Sequence, residues 1–348
     1  MVIQIERKGN DSLYPMKMRP VFRHGVETPW GGEGLRRLFC KAIPDDLTGE
    51  SLEVSALPGM SSMVENGDLA GWTLEAVYEK YRGALTGLTD DAAFPLLVKL
   101  LDAREMLSVQ VHPGDAYAAE HHGKLGKTEA WVILDAPPGA KLVSGLKEGA
   151  DLRSAVQDGT LEDALNWLPV SAGDVLYIPH GLVHALGGGI RVYEIQQSSD
   201  VTYRLWDWNR VGPDGKKRAL QLADALNVAR PLPGSPLVGA SQDVPGGRET
   251  LYICDGNFEL WRLDMAGRMA LEAGRMRLLT ALGRCVVGWD GGTLALAAGD
   301  TVVIPAVCDA WLEGNATAIL SSTCDRERAA ARLGDRVLEV AGFKERNQ

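Results

Sequence analysis

The segment AGDVLYIPHGLVHALGG, residues 172–188, returns without a gap as AGDTVVIPAVCDAWLEG at 298–314. Each copy sets a Gly-Asp turn before alternating apolar residues that end in Ile-Pro, the pattern of a turn feeding a strand that stops at a proline. Strand-like segments surround both copies. Around the first are EMLSVQVH, TEAWVIL, KLVSGL, DVLYIP and IRVYEIQQ. Around the second are LYICDG, FELWRLDM, MRLLTAL, CVVGWD, TLALAA, TVVIPA and TAILSS. Two β-rich halves sharing one hairpin predict two related barrels or sandwiches, and 348 residues are enough to bury cores of that size. The stretch 232–247 is dense in proline and glycine and lacks periodicity, so it reads as a linker. It separates a first domain, 1–231, from a second, 248–348, which closes on a charged helical tail.

Helices are few and small. TLEAVYEKYRGAL, 73–85, spaces Leu74, Val77, Tyr78 and Tyr81 as one helical face behind Thr73 as N-cap. Further helical pieces are expected near 115–122 and 151–168 and over KRALQLADALNVA, 217–229. SLEVSAL, 51–57, alternates as a strand. FPLLVKLLDA suits a buried strand or a helix, and Pro95 and its length incline it to strand.

The net charge of -10 argues against nucleic acid or an anionic membrane as partner. No apolar run reaches the roughly 18 residues of a membrane span, and MVIQIERKGNDSLYP lacks the apolar core of a signal peptide. The five cysteines (Cys40, Cys254, Cys285, Cys308, Cys324) are scattered without CxxC spacing. They suit a reducing cytoplasm and read as small core residues.

LSVQVHPGD, 107–115, puts Ser108, Gln110 and His112 on one strand face and Leu107, Val109 and Val111 on the other. A hydroxyl, an amide and an imidazole are an unusual set for a merely solvated face. In GKTEAWVIL, Lys127, Glu129 and Trp131 share a face. His184 follows the first Gly-Asp hairpin among aliphatic neighbours. Gln110, His112, Glu129 and His184 together offer mixed nitrogen and oxygen ligands, suited to Zn²⁺ or another first-row divalent ion. His180 should be aimed outward by the hairpin, and His121 and His122 belong to a helix surface. In VYEIQQSSDVTYRLWDWNR, Glu194 shares a face with Val192 and Gln196, and Asp200 stands four residues before Arg204. In so acidic a chain Arg204, Arg210 and Lys127 are the means of holding a phosphate.

LSVQVHP, GKTEAW, LVHAL and EIQQSSDVTYRLWDWNR, in this order and spacing, resemble the type I mannose-6-phosphate isomerases in their short bacterial form. PWGG and GESLEVSAL...NGDLAGWTL resemble them too, and the likeness runs from about residue 20 to 230. The resemblance implies a mainly β, cupin-type double jelly roll whose single Zn²⁺ is held by Gln110, His112, Glu129 and His184. It implies that Arg204 is the catalytic arginine, and that Ser108, Lys127, Glu194 and Asp200 occupy other active-site positions. Leu52 stands where many members have tryptophan, and His180-Gly181-Leu182-Val183 replaces small or hydroxyl residues, departures that bear on sugar selectivity.

The implied reaction moves a proton between C2 of an aldose and C1 of a ketose through an enediolate, with mannose 6-phosphate and fructose 6-phosphate as the pair. Glu194, Lys127 or a water on the metal could carry the proton. An iron-dependent oxygenase would need no phosphate clamp, and a sugar-sensing module could dispense with base and arginine; the residues present weigh against both. No histidine follows residue 232, and the echo sets Ala306 opposite His180 and Ala310 opposite His184. The second half is therefore expected to be a degenerate copy without metal.

Overall fold

The computed structural model describes residues 13–89, 93–232 and 234–343. The extreme ends of the two expected domains, and Pro233 of the expected linker, lie outside the described residues.

The fold is two antiparallel barrels packed back to back, each closed by a major and a minor sheet. In the first major sheet the strands run Val175–Ile178, Glu129–Asp135, Ile190–Gln197, Leu96–Ala103, Glu50–Val54, Val21–Arg23. In the second they run Thr301–Ile304, Arg277–Ala281, Thr317–Ser322, Glu259–Met265, Gly247–Cys254, Ala240–Val244. The two orders correspond strand for strand. So do the minor sheets. Val109–Val111, His184–Ala185, Lys141–Leu146, Leu165–Pro169 match Gly267–Leu271, Ala310–Gly314, Cys285–Trp289, Gly292–Leu296, with Tyr203–Trp206 added beside Val109–Val111.

The echoed hairpins are one device used twice. Asp174 accepts from the Ser171 amide at 2.8 Å and Asp300 from the Ala297 amide at 2.8 Å, closing each turn with a carboxylate. Gly173 and Gly299 take φ of 97° and 85°, a region open to glycine. Their amides donate to Ile133 and Ala281, each at 2.8 Å, which pins each turn to the equivalent neighbouring strand.

The two major sheets share a core. Val98, Leu100, Tyr193 and Ile195 of the first meet Phe258, Leu260, Leu278 and Ile319 of the second. Alternation then turns Leu97, Lys99, Leu101, Glu194 and Gln196 the other way, into the first barrel. The strand Leu96–Ala103 is thus buried on both faces, which is why its sequence shows no alternation. Inside the shared core the Tyr193 hydroxyl and Ser321 Oγ lie 2.8 Å apart, a hydrogen bond between halves 128 residues apart in sequence.

Four local expectations differ from the structure. Residues 165–168, read as helical, belong to the strand Leu165–Pro169, which pairs with Lys141–Leu146. The helix expected from 217 begins at Leu222. Within the expected linker, Ala240–Val244 pairs with Gly247–Cys254 as a hairpin over Pro245-Gly246. Met16–Arg19 hydrogen-bonds to Thr301–Ile304 and Met63–Val64, so the N-terminal strand lies in the second major sheet, which a division at 231 does not foresee. The helix Leu74–Thr86 is capped as expected, Thr73 Oγ1 accepting from the Ala76 amide at 3.2 Å. Cys254, Cys285 and Cys308 are buried small residues, whereas Cys40 is exposed beyond the helix Gly34–Phe39.

Tyr193→Phe should leave Ser321 without its buried partner and cost about 1–3 kcal/mol. Denaturant titration should show a lower midpoint with an unchanged slope. A double-mutant cycle with Ser321→Ala that returns no coupling would show that this bond does not help join the halves.

Candidate active site

The inward faces of the first barrel enclose a cavity of about 820 Å³. Directly behind its lining residues Gln110 and Lys127, the buried His112, Glu129 and His184 place one ligand atom each within 4.8 Å of one another. They come from three segments joined by sheet register: His184 pairs with Gln110 across the minor sheet, and Glu129 starts the major-sheet strand that pairs with Ile178 and Gln196. The imidazoles are oriented by backbone carbonyls. His112 Nδ1 lies 3.1 Å from the Val201 oxygen and His184 Nδ1 2.8 Å from the Leu182 oxygen. A carbonyl only accepts, so each Nδ1 carries the proton and each Nε2 turns a lone pair inward. The two Nε2 atoms lie 3.4 Å from Glu129 Oε2 and Oε1 respectively.

These groups suit a divalent cation. Burial, then the neighbouring Lys127, pushes the His112 imidazole down to about 3, so it is neutral as a ligand must be. Burial would raise the Glu129 carboxyl, but Lys127 and His112 outweigh it and hold the group well below the usual carboxylate range. Glu129 Oε1 is buried without a hydrogen-bond partner, and Lys127 Nζ bridges Glu129 Oε2 and His112 Nε2. The Gln110 amide is 3.3 Å from His184 Nε2, within reach of the same centre.

A second charged group faces the cavity, and sequence reading found only one member. Lys99 Nζ lies 3.2 Å from Glu194 Oε1 and 3.4 Å from Glu50 Oε2. Trp131 Nε1 donates to Glu194 Oε2 at 2.8 Å, so the Glu194 carboxylate is held from both sides. Burial, opposed by Lys99, leaves Glu50 below its ordinary value. Lys99 is held above its own, burial being outweighed by Glu50 and Glu194. Nothing marked Lys99 in a run of leucines except that it was the one charge there.

Arg204 and Ser108 line the cavity, with Asp200 at its edge paired to Lys124 at 2.6 Å. The Arg204 backbone is clamped by Gln221, whose side-chain oxygen accepts from the Arg204 amide at 3.0 Å and whose own amide donates to the Arg204 carbonyl at 2.9 Å. That clamp keeps 217–221 out of the helix. Arg210 is placed otherwise: it reaches the Met106 carbonyl, Glu105 and Asp207 and does not line the cavity. Arg218 does, bound to Asp207 through Nε at 2.8 Å and Nη2 at 2.6 Å. Arg23 is a further lining residue that sequence reading missed, and Leu52 lines the same space. His121 and His122 are on the helix surface. His180 is half-buried beside Thr128, outside the ligand cluster.

Register also identifies the second barrel's counterparts. Ala310 pairs with Leu271 as His184 pairs with Gln110. Arg277 pairs with Ile304 and Ser322 as Glu129 pairs with Ile178 and Gln196. Where the first barrel converges acceptors, the second buries a guanidinium whose Nη atoms donate to the Leu271, Glu272, Pro305 and Cys308 carbonyls.

Residues 21–130 match the family described as phosphomannose isomerase type I, catalytic domain. The mannose-6-phosphate isomerase of Streptococcus mutans is 38% identical over 291 residues, covering 81% of this chain and 90% of that protein. The mannose-6-phosphate isomerase ManA of Bacillus subtilis is 35% identical over 319 residues, covering 88% and 98%. The crystal structure of a mannose 6-phosphate isomerase from Bacillus subtilis aligns with a TM-score of 0.83 at 32% identity, over 89% of this chain and 99% of that one. A phosphomannose isomerase variant from Salmonella typhimurium, at 14% identity, shares the fold with a TM-score of 0.72 over 90% of this chain and 100% of its own. Sequence and fold agree through both barrels, and the chain belongs to the type I phosphomannose isomerase family.

Proposed function

We propose that the chain interconverts mannose 6-phosphate and fructose 6-phosphate in the first barrel, in a catalytic region within 1–231, with the second barrel as a degenerate copy. The observation that carries this reading is the convergence of two oriented imidazoles and a buried carboxylate behind Gln110 and Lys127, in the wall of the cavity also lined by Glu194, Lys99 and Arg204. His112, Glu129 and His184, with Gln110 as fourth ligand, would hold one divalent ion, and their nitrogen and oxygen set favours Zn²⁺. Such an ion supplies Lewis acidity toward the carbonyl and hydroxyl oxygens of the sugar.

The chain's own residues do the rest. Glu194 carries the proton between C2 and C1, its carboxylate aimed by Lys99 and the Trp131 indole. Lys127 is the weaker candidate, because its ammonium is engaged by Glu129 and His112; its part is to hold those ligands in place. Arg204 donates where negative charge grows on the enediolate oxygens. The phosphate is met by the cationic rim of Arg23, Arg218 and Lys124, while Ser108 and Asp200 contact the sugar; Arg210 braces Asp207 behind them. The unbridged cysteines suit a cytoplasmic setting.

A coupled assay for fructose 6-phosphate formation should show activity that a chelator removes and a divalent ion restores, with about one metal ion per chain. His184→Ala should be folded, metal-free and inactive; full turnover by that metal-free protein would end this reading. Arg204→Ala should lose on the order of a hundredfold in kcat. An unchanged kcat with a raised KM would assign Arg204 to ground-state binding.

Lys99→Met tests the second charged group. Glu50 has a depressed folded value, so in the parent its contribution is present above the ordinary carboxylate range and lost as pH falls through the folded value. Without Lys99, the burial of Glu50 is opposed only by Arg23 and Lys127, so this contribution shrinks and the variant should gain less stability as pH rises toward neutrality. The loss at neutral pH should be on the order of 3–5 kcal/mol. Thermal midpoints measured against pH check both slopes, and parallel curves for the two proteins would refute the pairing.

A further inference from the structure

The second barrel retains a cavity of about 290 Å³, and strand register makes it the counterpart of the first barrel's cavity. Glu249 pairs with Leu263 as Glu50 pairs with Leu101. Trp261 pairs with Leu320 as Lys99 pairs with Glu194. Leu271 and Arg277 stand in the places of Gln110 and Glu129, and all of these second-barrel residues line the space. The chemistry has been exchanged while the space persists. The Lys99–Glu194 wall has become Trp261 and Leu320, and the buried carboxylate has become a buried guanidinium.

Three more arginines reach this cavity, Arg275 from the turn before Arg277–Ala281 and Arg328 and Arg332 from the helix Arg326–Leu333. In a chain of net charge -10, four guanidinium groups on one small cavity make a local field opposed to the global one. The nearby carboxylates cancel it incompletely. Glu249 is committed to Arg332, whose Nε donates to it at 2.9 Å. Glu272 touches Arg328 at 3.3 Å from a side chain 76% exposed, a pair weakly held in water. Burial pushes Glu259 up to about 7, so its charge is only partial at neutral pH. Arg275 is 3.7 Å from Asp325. Arg277, 3% exposed, spends its terminal nitrogens on carbonyls, yet its Nε–H is buried with no hydrogen-bond partner.

We propose that this cavity binds a small organic anion, of monosaccharide or short-acid size and bearing a phosphate or carboxylate group. Arg328 and Arg275 are its cationic contacts at the mouth, and Arg277 Nε–H is a donor at the floor. Trp261, Leu271 and Leu320 cover its apolar side. The volume lies at the lower end of ligand pockets, which suits a small ligand. Guanidinium groups suit oxyanions because their planar donors match paired oxygens.

The test titrates the full-length protein by calorimetry with inorganic phosphate and, separately, with citrate. An Arg23→Ala, Arg218→Ala background, which removes the guanidinium groups that meet phosphate in the first barrel, separates binding here from binding there. One equivalent of at least one anion should bind that background. Adding Arg328→Ala should weaken it about tenfold or more, and Leu271→Trp, which fills the cavity, should abolish it. Arg328→Ala alone should leave isomerase kcat/KM unchanged, which also shows that the protein is folded. Because the Arg328 side chain is partly exposed, its variant decides the matter if Leu271→Trp fails to fold. Neither anion binding, or binding that ignores Arg328→Ala, would overturn the proposal. The readout is heat and not turnover, so failure of the isomerase reading would leave this result interpretable.

Discussion

A carboxylate with no exposed surface, at the place where a major and a minor sheet close on each other, is the constraint around which the first barrel is arranged. Glu129 cannot stay ionised there without a cationic or hydrogen-bonding partner, and the structure gives it the Lys127 ammonium, while the lone pairs of His112 and His184 face the same carboxylate as further acceptors for a cation. Lys127 lies two residues before Glu129, whereas His112 follows the strand Val109–Val111 and His184 begins His184–Ala185, so bringing these groups together also fixes the register of the barrel. At the same register the second barrel reverses the sign of the problem. Arg277 is cationic and its partners are four backbone carbonyls. Burial lowers that guanidinium to about 10, still charged at neutral pH. One barrel gathers acceptors able to bind a cation, and the other carries a cation covalently.

Back-to-back packing imposes the next condition. Each strand of the first major sheet must be apolar toward the second sheet, so its chemistry can lie only on alternate residues. Leu96–Ala103 obeys this with Val98 and Leu100 in the shared core and Lys99 toward the cavity. Ile190–Gln197 does the same with Tyr193 and Ile195 against Glu194. A slip of one residue in their pairing would bring a lysine and a glutamate into the core between the sheets. The shared core therefore fixes the pairing of Lys99 with Glu194.

What could be read from the sequence was local or repeated. The Gly-Asp turn closes on its own carboxylate within four residues, so its echo was visible without knowing the fold. The alternation around Gln110 and His112 showed one polar face for the same reason. Lys99 was hidden because both faces of its strand are buried, which removes the period-two signal. The helix from 217 was overextended because helical spacing continues through residues whose backbone is claimed by Arg204, a contact made 17 residues away. Residues 240–244 looked like linker because their partner strand, and not their own alternation, makes them a strand.

The arginines show the same limit and carry the argument one step further. Asp207 organises this corner: Arg218 commits Nε and Nη2 to it, and Arg210 leans on it from the other side while reaching Met106 and Glu105. Sequence proximity cannot tell which of the two faces the cavity. Donor capacity ranks the cavity's cations more sharply than position does. Arg204 and Arg23 each bury an Nε–H with no hydrogen-bond partner, a cost that an anionic oxygen in the cavity would relieve. Arg218 has already spent its best-placed donors on Asp207. An acidic chain can thus receive an anionic sugar, because carboxylates behind the wall hold the cations in position while two guanidinium groups keep donors to spare.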